Sequence, residues 1–140
     1  MTKLPLAASI VVASLLFCSA VFASDLPGRW NLSVENPDHK VVTTLKVEFT
    51  DRKATSCMGG EWKALKIISL TTQDKHFFPV SDPLSYRIEN GKLTIGRNEI
   101  CDAYLWLKGP LIGASVEGAY FSLGLEGSTP LGYFNLNQAR

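Results

Sequence analysis

Asn90-Gly91, set between Ile88-Glu89 and Lys92-Leu93, constrains the fold more than any other part of the chain. Asn-Gly supplies the two positive-φ residues of a type I′ turn, so it joins two antiparallel strands directly. The turn also sets the register. Glu89 faces Lys92, Ile88 faces Leu93, Arg87 faces Thr94 and Tyr86 faces Ile95. Tyr86, Ile88, Leu93 and Ile95 then share an apolar face, while Arg87, Glu89, Lys92 and Thr94 share a polar one. Register, charge pairing and burial agree on a hairpin.

Strand signals recur through the rest of the chain. Trp30, Leu32 and Val34 alternate with Arg29, Asn31, Ser33 and Glu35, and after the Asn36-Pro37-Asp38 turn Leu45, Val47 and Phe49 alternate with Lys46 and Glu48. Gly59-Gly60 predicts another hairpin leading into 61–72. There Trp62, Ala64, Ile68 and Leu70 fall on one face with Lys66, and Leu65 and Ile67 oppose them. Either both faces are partly apolar or the register shifts at a bulge. Further strands are expected at 103–108, closed by Gly109-Pro110, within the glycine-rich 111–125, and at 131–136. No helical periodicity is present. Roughly eight or nine antiparallel strands in one domain suggest a closed barrel or a tight sandwich, and an all-β, up-and-down barrel of roughly eight strands is the expectation.

The first 23 residues read as a cleaved export signal, which leaves 24–140 as a single β-barrel domain. Lys3 precedes an apolar run from Leu6 to Phe22, and Val21-Phe22-Ala23 offers small residues at −3 and −1. The polar chain that follows carries no stop-transfer segment, so no membrane span is expected. Cys18 lies within the signal and follows Phe17, a poor context for acylation. The expected location is the periplasm or outside the cell. Of 14 Lys+Arg and 13 Asp+Glu, only Lys3 lies in the signal, so the remainder is charge-balanced. A neutral chain without a basic cluster is no nucleic-acid binder. Charges on the strand faces opposite the core, such as Lys46, Glu48, Arg87 and Glu89, exclude a lipid-facing barrel.

Two cysteines, Cys57 and Cys101, remain after the signal, and in an oxidising compartment they are expected to pair. Closing a loop of about 45 residues is worth about 4 kcal/mol of loop entropy. No C-x-x-C redox motif is present, and Cys57, Cys101, His39 and His76 lack metal-ligand spacing, so no metal or other cofactor is expected. His76, near Asp74 and Asp82, is the one candidate for acid–base work, but no serine, cysteine or lysine stands in a nucleophile context. The chain therefore reads as non-enzymatic. His39 falls in a turn, and the Asn31-Leu32-Ser33 sequon falls within a strand.

Gly28-Arg29-Trp30 resembles the G-x-W opening of lipocalin-like (calycin) barrels, in which the tryptophan plugs one barrel end. Gly132-Tyr133-Phe134-Asn135-Leu136 resembles the G-x-F-x-L closing strand of small bacterial barrels. The T-D-Y motif of true lipocalins is missing. Bacterial periplasmic metalloprotease inhibitors are similar in their G-x-W start, disulfide and eight strands, although only Ser24-Asp25-Leu26-Pro27 stand where their inhibitory arm would be.

A barrel of this size is either filled by side chains or holds one small ligand. The expected role is an exported binding protein that holds a small apolar molecule. Tyr86, Ile88, Leu93, Ile95, Trp106 and Phe121 are the expected lining, with Phe77 and Phe78 at the mouth. The alternative is a periplasmic inhibitor or immunity-type protein that neutralises an enzyme through surface loops such as 73–83. In that loop Phe77-Phe78-Pro79-Val80 is either a minor core or a contact patch.

Overall fold

The structure, a computed structural model, describes residues 26–78, 80–97, 101 and 104–140. The expected export signal at 1–23, the short arm at Ser24-Asp25, Pro79 and Ala103 lie outside the described residues. The strands are β1 (Arg29–Glu35), β2 (Val41–Ala54), β3 (Trp62–Thr72), β4 (Leu84–Glu89), β5 (Lys92–Arg97), β6 (Tyr104–Ile112), β7 (Ser115–Gly124) and β8 (Gly127–Gln138). They form a closed antiparallel barrel in sequence order, with β8 pairing back onto β1. Among the described residues there is no helix.

The Asn90-Gly91 hairpin has the expected register, from Tyr86↔Ile95 to Glu89↔Lys92, with φ of 51° at Asn90 and 72° at Gly91. Its inward face continues around the barrel. Ile95 pairs with Leu107, Leu107 with Tyr120, and Phe134 with Val34, each of them buried in one core with Trp30, Leu32, Leu45 and Leu136. The half-polar, half-apolar alternation of these strands thus becomes one closed interior.

The mixed pattern of β3 resolves as a bulge. Lys46 pairs with Ser69 and Val47 with Ile67, which leaves Ile68 as the extra residue that switches faces. One boundary differs from the sequence reading. Gly109-Pro110 does not end β6, which runs through both to Ile112 with Pro110 opposite Lys92. Pairing between β6 and β7 passes from Lys108↔Ala119 to Leu111↔Val116, so the N–H that proline lacks falls in a gap of that ladder. Glycine is required at the gap because a Cβ on Gly118 would strike the Lys108 carbonyl oxygen.

Candidate functional site

The barrel wall is uneven, and the unevenness defines the site. β3 and β4 pair only from Lys63↔Tyr86 to Leu65↔Leu84. Beyond Leu65, β3 continues along β2 as far as Thr72, with no strand on its other side among the described residues. This half of β3 is exposed although it is apolar; Ile68 is 36% and Leu70 43% accessible. Where β3 parts from β4, a hollow of about 480 Å³ opens between Ile67, Pro83 and Leu84 on one side and Arg52 and Lys53 on the other.

The 73–83 connection crosses the barrel mouth from this notch. Phe78 is fully buried in the core, with Phe77 and Val80 packed against it. Both phenyl rings meet Tyr120 edge to face, at 5.2 Å for Phe77 and 5.6 Å for Phe78. The Tyr120 hydroxyl donates to the Phe77 carbonyl. Burial pushes the Tyr120 phenol up to about 12, against the opposing pull of Arg97. Arg97 also holds Asp82 at 2.9 Å, which fixes the far end of the connection.

Gln73, Asp74, Lys75 and His76 stay in solvent. Their turn is tied locally, with the Thr72 hydroxyl donating to the Asp74 carbonyl at 2.9 Å and the Asp74 carboxylate accepting from the His76 backbone N–H at 2.8 Å. Asp74 thus accepts from the His76 backbone, and Asp82 is held by Arg97. His39 lies stacked on Tyr133 with ring centroids 4.1 Å apart, and its Nδ1 meets Glu35 at 3.1 Å. No group of three His, Cys, Asp or Glu side chains is assembled to hold a metal among the described residues.

The expected lining residues divide between two faces. Tyr86, Leu93 and Ile95 point inward and are buried, and Ile88 packs at their edge. Trp30, Phe49 and Tyr86 form a chain of edge-to-face contacts across this interior, and the Tyr86 hydroxyl donates to the Thr50 carbonyl at 2.9 Å. Trp106 and Phe121 do not join them. Leu107 and Tyr120 take the inward positions, so Trp106 and Phe121, directly paired, stand on the outer wall.

The outer wall carries a second aromatic group around Trp106. Its indole lies over Gly96, where a Cβ would come within 2.7 Å of the ring. Arg87 stacks its guanidinium 4.8 Å from the Trp62 ring and 5.8 Å from that of Trp106. The 55–61 loop folds back here, with Trp62 Nε1 donating to the Gly59 carbonyl at 2.7 Å. The expected disulfide is present: Cys57 of this loop bonds Cys101 of the β5–β6 connection. The bridge ties the loop before β3 to the connection after β5.

The sequence reading missed the free half of β3 and the cationic wall beside it. Its one available signal was the off-phase Ile68 and Leu70. Comparison with family models, curated proteins and solved structures finds no match to the chain. An eight-stranded antiparallel barrel is compatible with a lipocalin-like fold.

Proposed function

We propose that this chain is an exported, non-enzymatic binding protein that recognises another protein through the 73–83 connection and the adjoining edge of β3, as a periplasmic inhibitor or immunity-type protein would. The observation that carries this reading is the division within 73–83. Phe77 and Phe78 anchor the segment to the core, while Gln73 to His76 are held in solvent by local hydrogen bonds. A segment already fixed loses little conformational entropy when a partner binds it. The calycin resemblance belongs with this proposal. Trp30 closes the interior beneath Phe49 and donates from Nε1 to the Pro27 carbonyl at 3.3 Å, in keeping with the G-x-W role. The disulfide accords with an oxidising, exported location.

Tyr86, Leu93 and Ile95 are themselves buried in a core that Trp30, Phe78 and Tyr120 also fill, so the protein-binding reading is preferred. Its test is capture from the exported fraction of the host on immobilised mature protein, in parallel with a Lys75→Glu/His76→Ala variant. Support would be a protein retained by the native chain, lost by the variant, and inhibited when bound. Extra mass from a small molecule in native mass spectrometry, with no protein retained, would overturn it.

A further inference from the structure

We infer that the free edge of β3, from Lys66 to Thr72, accepts an extended, acidic segment of the partner as an added β-strand. This rests on the protein-binding reading and specifies its geometry. The backbone of β3 is paired on its β2 side through Thr72, while its β4 side is paired only as far as Leu65. An extended chain laid along that side would continue the sheet with main-chain hydrogen bonds, the mode of recognition that needs least from side-chain sequence. The neighbouring hollow of about 480 Å³ gives room for the side chains of such a strand. Ile67, Ile68 and Leu70 offer it apolar contact.

Charge selects the occupant. Arg52 and Lys53 border the hollow, and Lys66 stands exposed on β3 where the pairing with β4 ends. Asp82, the carboxylate among the lining residues, is already held by Arg97 at 2.9 Å. Lys66 is faced by Glu48 on β2, so Arg52 and Lys53 supply the cationic border of the notch, and acidic residues on an incoming strand would complete it. A second copy would bring the same Arg52, Lys53 and Lys66 charges to the edge and no acidic complement to them. A lysine and a bulge on an edge strand are established devices against self-association. Here they leave the edge open to a strand of opposite charge.

The test uses the mature protein, disulfide intact, with two blocked peptides, one alternating Glu and Val and one alternating Lys and Val. Backbone amide NMR is expected to show shifts at 66–72 with the Glu peptide, and at least about tenfold slower hydrogen exchange there. The Lys peptide should bind at least about tenfold more weakly, and Arg52→Glu/Lys53→Glu should remove that preference. Shifts confined to another surface, equal binding of both peptides, or dimerisation of the free protein through 66–72 would overturn strand addition. No peptide binding, with a partner still captured through Lys75 and His76, would overturn strand addition and leave loop recognition standing. Loss of both would overturn the protein-binding reading itself.

Discussion

The wall formed by β7 and β8 and the seam between β3 and β4 are closed by different means. β7 and β8 pair from Ser115↔Asn137 to Gly124↔Gly127, broken by one bulge, so backbone hydrogen bonds do most of the work. β3 and β4 share only the short ladder from Lys63 to Leu65. Around that ladder the chain adds a disulfide, an outer Trp62–Arg87–Trp106 stack and an inner Phe77–Phe78–Tyr120 group. The difference teaches that closure of a barrel need not be a property of its ladder. Where backbone pairing is short, side chains and one covalent bond can hold the seam and leave a strand edge unspent.

The largest effect is expected from Phe78→Ala, which empties a fully buried site at the seam. A loss of about 3–5 kcal/mol in urea unfolding is expected, and a loss below about 1 kcal/mol would mean that the mouth is not sealed from within. Next comes Cys57→Ser/Cys101→Ser, at about 2–4 kcal/mol. Its amide exchange should rise first in β3 and β4 and last in β7 and β8. Uniform acceleration would erase the contrast between the two regions.

On the opposite wall, Gly118→Ala forces a methyl group against the Lys108 carbonyl and the Phe134 ring. Overpacking there should cost about 1–3 kcal/mol in the same assay, and a neutral result would show slack in the ladder. Arg87→Leu removes the guanidinium between the indoles, and a loss of about 1 kcal/mol is expected together with a change in tryptophan fluorescence.

The smallest effect concerns Tyr120. Its folded value of about 12 lies above the ordinary 10.0, so the neutral phenol favours the folded state. That contribution is complete below about pH 10 and is lost as pH rises toward 12. Ultraviolet titration should show a phenol ionising near 12, and Tyr120→Phe should remove that step. A single ionisation near 10 for all tyrosines would contradict the burial described for this ring.

Local rules made the sheet legible. Asn90-Gly91 set a register that the structure reproduces pair for pair, and alternation in β1 and β2 placed Trp30, Leu32, Leu45 and Val47 inside. The orientation of β6 was not legible, because Tyr104, Leu105, Trp106 and Leu107 are apolar on both faces. A period of two cannot choose between such faces. The choice is made by the 55–61 loop folding back over Trp62 and by Gly96 leaving space for the Trp106 indole. Both are tertiary facts. Phe77 and Phe78 were ambiguous for a related reason, since an apolar pair in a loop has no period at all. The free half of β3 depends on where β4 begins relative to β3, an offset that neither strand encodes alone.

The Cys57–Cys101 bond has a consequence for what a proteolytic cut does to the molecule. Lys75, exposed in the turn after β3, lies between the two bridged cysteines. A cut after Lys75 would therefore leave both fragments joined covalently, with Phe77 and Phe78 still seated in the core to hold the new ends in place. At this exposed turn a nick therefore does little to take the molecule apart.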